Sequence, residues 1–314
     1  MLSVNKLGKS YGDHTALQDV SFDIAPGERV ALLGANGSGK TTTINSICRL
    51  LEWERGEIHF EGADIRKNPS YLRHIGAVLG GCRNVNWRLT ARQNAEYFAR
   101  LRGVGKKRSQ ATVERLEKQL GLDEYIKRDV GKLSTGNKQK ASLLCALAYE
   151  PKLLLLDEPT LGLDMQTVSE LQAIIVDQSE NLNQGFLITS HDMAFIDKIC
   201  TRVIVIDEGK IIFKGTIAAL KARLFHYEMR LTLDPTARTQ LNNQLDSLWP
   251  DKTQILQQEH DVVIRYDSPT QAFATVNWLA QQAISPLDLR INPLSVETAY
   301  HSLVTNTNQQ EAQV

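Results

Sequence analysis

The run Gly34-Ala-Asn-Gly-Ser-Gly39-Lys40-Thr41 has the spacing GxxxxGK[ST] and lies between an apolar stretch ending at Leu33 and a helical stretch. That placement predicts a loop whose backbone N–H groups cradle phosphate, with Gly34, Gly37 and Gly39 allowing the tight path and Asn36 and Ser38 filling it. The helix that follows adds the positive end of its dipole, and Lys40, Thr41 and Thr42 form its first turn. Lys40 is suited to bridge the β- and γ-phosphates, and the Thr41 hydroxyl to ligate Mg²⁺.

At 117 residues beyond Lys40, the run Leu153-Leu-Leu-Leu156 delivers Asp157 and Glu158 to the end of a buried strand. Two carboxylates at a strand end can simply cap it, and the dipeptide alone favours that bland account. Together with a phosphate loop they suit other work: Asp157 orients Mg²⁺, and Glu158 polarises water for in-line attack on the γ-phosphate.

With these two motifs, residues 1 to about 220 resemble the ATP-binding subunit of an ATP-binding cassette (ABC) transporter, whose phosphate loop is the Walker A motif. Leu133-Ser134-Thr135-Gly136-Asn137 is similar to the family's LSGGQ signature, Leu161-Gly-Leu-Asp164 to its D-loop, and His191 to its switch histidine. Tyr11 stands where the family stacks an aromatic ring on adenine. The resemblance implies an ATPase that binds ATP and Mg²⁺ and works as a head-to-tail homodimer or heterodimer. In such a dimer Ser134 and Gly136 of one subunit complete the phosphate site of the other, His191 holds the γ-phosphate near Glu158, and Asp164 links the two sites. It also implies a membrane-spanning permease partner, and hence a place on the cytoplasmic side of the membrane, held there through that partner.

Two departures from the family pattern stand out. Gly80 occupies the position of the family's Mg²⁺-contacting glutamine, and the signature carries Thr135 for glycine and Asn137 for glutamine. The stretch from Gly80 to Thr90 resembles the variant in ATPases of ABC-2-type exporters, so export is the leading expectation. Trp87 in that stretch is either an anchor for the permease or a core aromatic. A soluble ABC-class ATPase of translation or DNA repair, and a slow nucleotide switch suggested by Gly80, are the alternatives.

The elements needed to position these groups are those of an α/β fold. Strands are expected at 29–33, 75–79, 153–156, 186–189 and 203–206, joined by helical crossovers around a buried parallel sheet. A helical subdomain over about 82–148 interrupts them, with Val113, Leu116 and Leu120 on one face. A strand-like stretch follows at 210–213, and a helical run ends near Leu224.

The domain expectation is a nucleotide-binding domain over 1–225 and a small α+β accessory domain over 226–305 with a ferredoxin-like βαββαβ order. Its second helix is expected to carry Phe273, Val276 and Ala280 on one face, followed by Leu287, Leu289 and Ile291 alternating in a strand and a last amphipathic helix with Val296, Tyr300 and Leu303. This unit is a regulatory module, a dimer brace or inert bulk, and 306–314 forms a disordered tail.

Composition sets the outer limits. Thirty-six basic and 36 acidic residues cancel over 314, which removes the electrostatic case for a whole-surface nucleic-acid or anionic-membrane binder and leaves only a local basic patch open. No apolar stretch approaches the roughly 20 residues of a membrane span, and the first residues lack the pattern of a secretory leader. Cys48, Cys82, Cys145 and Cys200 are far apart without ligand spacing, as expected of packed thiols.

Overall fold

In the computed structural model the described residues are 1–80, 85–222, 227–248, 255–257, 261–266, 269–293, 296–297, 300 and 303. The expectations for 81–84, for 253–254 and for the 306–314 tail lie outside them. The chain divides into two compact units, Met1–Ile217 and Ala218–Val314.

Among the described residues the first unit holds two sheets. Strands β1 (Leu2–Tyr11), β2 (His14–Ile24), β4 (Arg55–Phe60) and β5 (Ala63–Asp64) form an antiparallel sheet in the order β2-β1-β4-β5. The sequence expectations did not include it. Its core side chains, Leu2, Val4, Leu7, Leu17 and Ile58, are spaced irregularly because register shifts break the alternation within β1.

The second sheet is the expected one. Strands β3 (Arg29–Leu33), β6 (Ile75–Val78), β7 (Leu153–Asp157), β8 (Gly185–Thr189), β9 (Arg202–Asp207) and β10 (Lys210–Thr216) lie in the order β10-β9-β3-β8-β7-β6. All neighbours are parallel except β10 against β9. Leu153 to Leu156 and Val203 to Ile206 are fully buried, as continuous apolar runs are in a sheet covered on both faces. Register places Ala31, Ile188 and Leu156 level on β3, β8 and β7, so all three strands deliver their carboxyl ends to one edge. In open parallel sheets that edge is where ligands bind.

Among the described residues the expected helical segment holds α2 (Ala91–Leu101), α3 (Lys106–Gln119) and α4 (Thr135–Leu147). Thr90 and Gln93 close a reciprocal capping box at the start of α2. Val113, Leu116 and Leu120 are buried as their spacing predicts. Helices α1 (Lys40–Ile47), α5 (Met165–Leu182) and α6 (Met193–Ile199) are among the crossovers of the parallel sheet. The helical run after β10 is α7 (Ile217–Ala222).

In the second unit the elements run β11 (Tyr227–Thr232), α8 (Pro235–Leu248), β12 (Ile255–Gln257), β13 (Asp261–Tyr266), α9 (Pro269–Gln281) and β14 (Asp288–Pro293). The strands pair antiparallel in the order β12-β13-β11-β14. A separate core gathers Met229, Leu231, Val262, Ile264, Tyr266 and Leu279. The buried face of α9 is Ala272, Thr275 and Leu279, rotated from the expected one, and Phe273 stands 63% exposed. Thr275 sits inside because its hydroxyl accepts a bond from the buried Tyr266 Oη at 2.7 Å, a satisfied polar pair that apolar periodicity does not register. Leu287 precedes β14 and is exposed, while Val296 and Tyr300 are buried.

Cys145 and Cys200 are buried and Cys48 is half-buried, all three as free thiols, while Cys82 falls outside the described residues. Among the described residues no helix is long and apolar enough to cross a membrane.

Candidate active site

The loop between β3 and α1 is built from close approaches. A Cβ on Gly34 would sit 2.3 Å from the Ile206 carbonyl oxygen, and one on Gly39 2.7 Å from that of Ala16, so only glycine lets the loop lie against β9 and β2. Gly37 and Gly39 take φ of 82° and 111°, where a side chain is strained. This geometry aims the first turn of α1 at the carboxyl edge of the sheet. Lys40 Nζ donates to the carbonyls of Gly34 and Ala35 at 2.7 and 2.9 Å, folding back over its own loop. Burial lowers the Lys40 pKa, against the opposing pull of Glu158 and Asp157.

A hollow of about 200 Å³ is shared between this loop and the ends of β7 and β8. From the loop side it is lined by Asn36, Gly37, Gly39, Lys40, Thr41 and Thr42. Asp157, Glu158 and His191 face them from the other. Groups separated by more than a hundred residues are thereby brought around one volume. A wider hollow of about 620 Å³ shares Asn36 and Gly37 and continues past Ser38 to His14, Thr15, Asp207 and Glu208. Tyr11 is at the end of β1, paired with His14 and half exposed, but does not line either hollow. His14 and Thr15 were not singled out from the sequence, because β2 and its pairing with β1 were not foreseen.

Thr189, at the end of β8, organises the two carboxylates. Its hydroxyl donates to Asp157 Oδ1 at 2.6 Å and accepts from the Glu158 N–H at 3.1 Å, while its carbonyl also accepts from that N–H at 3.1 Å. Glu158 takes φ of 52°, a left-handed conformation costing a residue with a side chain about 1–2 kcal/mol, and these bonds hold it there. Glu158 Oε2 accepts from the His191 N–H at 3.1 Å. Oε1 lies 3.4 Å from His191 Nε2 and is buried with no hydrogen bond among the described residues. Sequence reasoning did not single out Thr189, since a threonine in a β-branched run reads as strand.

Ser134, Gly136 and Asp164 do not line either hollow of their own chain. Ser134 is the exposed N-cap of α4, its hydroxyl accepting from the Asn137 N–H at 3.3 Å. Asp164 caps α5, accepting from the N–H and hydroxyl of Thr167 at 2.8 and 3.1 Å, and these bonds hold its carboxyl below the usual aspartate range. Gly80 follows β6 with φ of 52° and open space around its Cβ direction, a conformation that favours glycine over the family's glutamine.

Comparison with known proteins identifies the family. Residues 17–161 match the family model described as ABC transporter. The chain is 38% identical over 206 residues to the ABC transporter ATP-binding protein NatA of Bacillus subtilis, covering 65% of this chain and 83% of that protein. It is 35% identical over 222 residues to the doxorubicin resistance ATP-binding protein DrrA of Mycobacterium tuberculosis, covering 70% and 67%. Among solved structures it is similar to a dimeric ATP-binding cassette in a post-hydrolysis state with ADP and Pi, with a TM-score of 0.62, 25% identity, and coverage of 69% of this chain and 98% of that one. The chain belongs to the ABC transporter ATP-binding family and is an ATP-binding, ATP-hydrolysing subunit of such a transporter.

Proposed function

We propose that this subunit drives export through a separate ABC-2-type permease, dimerising around two ATP molecules at the cytoplasmic face of the membrane and hydrolysing them. The observation that carries the mechanism is the single hollow where Lys40, Thr41, Asp157, Glu158 and His191 converge. Lys40 leaves the loop carbonyls to meet the β- and γ-phosphates, and the loop N–H groups with Ser38, Gly39 and Thr42 hold the rest of the chain of phosphates. The Glu158 carboxylate accepts a proton from the attacking water as its oxygen bonds to the γ-phosphorus and the bond to ADP breaks. His191 steadies that carboxylate and reaches the γ-phosphate, and Tyr11 supplies a ring for adenine beside the wider hollow.

Mg²⁺ fits the residues present. Thr41 and Asp157 offer hard oxygen donors in the same hollow, and among the described residues there is no larger cluster of acidic, histidine or cysteine ligands, as suits a cation that arrives with its phosphates. Held by these residues, it would supply positive charge to offset the negative charge building up on the phosphates. Ser134 and Gly136, which do not line the hollow of their own chain, complete the partner subunit's site, and Asp164 connects the two.

Support for a permease comes from an apolar groove of about 280 Å³ between β6 and helices α2 and α4, lined by Leu72, Leu79, Phe98 and Ala146 with Arg102. Its occupant is a cytoplasmic helix of the permease. For the second unit we infer a ferredoxin-like accessory domain, supported by its βαββαβ order and the strand order β12-β13-β11-β14. The zero net charge supports recruitment by a protein partner and no role for nucleic acid.

Glu158→Gln tests the core of this proposal. Turnover is expected to fall at least about 100-fold while ATP holds a stable dimer visible by sedimentation. Turnover equal to that of the parent chain would remove Glu158 as the base. Co-purification with a polytopic protein from detergent extracts tests the permease arm, which a partner-free chain would overturn.

A further inference from the structure

Trp87 is 56% exposed, so burial does not explain it, yet it touches both the approach to the signature and its helix. Its carbonyl accepts from the Gly131 N–H at 2.9 Å, and that of Leu89 accepts from the Val130 N–H at 2.9 Å. Thr90 bridges Asp129 in the same antiparallel sense. The segment 87–90 thus pairs, strand-like, with 129–131, two residues before Leu133. Gly131 allows this close pairing: a Cβ there would lie 3.1 Å from the Trp87 carbonyl oxygen, a tight contact. At the other end the indole lies 5.0 Å from Lys138 Nζ, in the first turn of α4. The Lys138 N–H donates to the Ser134 carbonyl at 2.9 Å. A cation so near a helix N-terminus opposes the dipole, and α4 has no acidic residue in its first turn to offset it, so the ring face is the compensating group. The near end of this segment is fixed as well, by Asn94 of α2, which is buried and accepts from the Asn86 N–H at 2.7 Å.

We propose that Trp87 is a positioning residue for the signature: its carbonyl fixes the chain entering Ser134 and its ring fixes Lys138 behind it, so that Ser134 and Gly136 meet the partner's γ-phosphate pre-oriented. This rests on Ser134 and Gly136 completing the partner's site. A loop held from both sides loses less conformational freedom when the dimer closes, and that gain is counted twice in a symmetric pair.

The test uses the full chain with a non-hydrolysable ATP analogue. Monomer nucleotide affinity, thermal midpoint and dimer dissociation constant are measured for Trp87→Ala, Trp87→Phe, Lys138→Met, the Trp87→Ala/Lys138→Met pair and Ser134→Ala. Trp87→Ala is expected to weaken the dimer about tenfold, as two cation–π contacts predict, with monomer affinity within about twofold. Trp87→Phe should recover most of the loss, Lys138→Met should reproduce part of it, and the double variant should be no worse than Trp87→Ala alone. Additive losses, or a Trp87→Ala dimer as tight as the parent, would overturn the proposal. If Ser134→Ala weakens the dimer and Trp87→Ala does not, only the role of Trp87 fails. If Ser134→Ala leaves the dimer intact, the signature assignment fails with it.

Discussion

Thr189 is a small residue with a large share of the site's geometry, because one hydroxyl and one carbonyl serve both carboxylates. Thr189→Val keeps the volume and the β-branch but leaves Asp157 without its donor, and it weakens the hold on the strained Glu158 backbone. Turnover is expected to fall about tenfold with ATP affinity nearly unchanged, since Lys40 and the loop are untouched. Thr189→Ser, which keeps the hydroxyl, should restore most of the rate. Steady-state kinetics with nucleotide titration read both, and a Thr189→Val enzyme at full rate would assign the positioning to His191 alone. At this same scale Gly80 illustrates how backbone conformation selects a residue, for its left-handed φ suits glycine where a glutamine would be strained.

Among the elements, the helical subdomain is held together partly by charge. Arg92 on α2 donates through Nε to Glu117 Oε1 on α3 at 2.9 Å and also bonds Oε2 through its second arm. The Glu117 side chain is 3% exposed and that of Arg92 43%, so solvent reaches the cation and discounts the pair. Glu117→Gln breaks the two-armed geometry and is expected to cost about 1 kcal/mol, or about 2–4 °C in thermal midpoint. Arg92→Lys should cost a similar amount because an ammonium cannot bond both oxygens, and calorimetry would check both. Unchanged midpoints would show that packing of Val113 and Leu116 alone fixes α3. In sequence this helix was legible from those apolar positions, while its partner across the charge pair was not, because nothing in a sequence says which of many arginines faces a given glutamate.

For the whole molecule the separate cores matter most. The first unit gathers Leu32, Ile44, Leu155 and Ile204 with the antiparallel sheet, and the second closes its own core around Met229, Leu231 and Tyr266. Each therefore holds the apolar burial that a compact unit needs. A chain ending after residue 222 is expected to fold, to bind ATP as the full protein does, and to hydrolyse it within about twofold of the full rate. A loss beyond about tenfold with binding intact would make the second unit a brace of the working dimer, and sedimentation of the truncated chain with ATP would show it directly.

The sequence by itself determined the local chemistry: a glycine-spaced loop before a helix, two carboxylates after a buried apolar strand, and a polar edge opening α4. These follow from short-range rules of backbone conformation, periodicity and charge, so they can be read from neighbouring residues alone. The parallel strands were legible for the same reason, being continuous apolar runs. Only the tertiary structure decided what pairing at a distance controls. The antiparallel sheet was hidden by its register shifts, the buried face of α9 by one internal hydrogen bond, and Thr189 by looking like any strand residue. Trp87 was open between core and surface until the fold set its carbonyl on Gly131 and its ring beside Lys138, contacts that span more than forty residues and depend on where two helices place their ends.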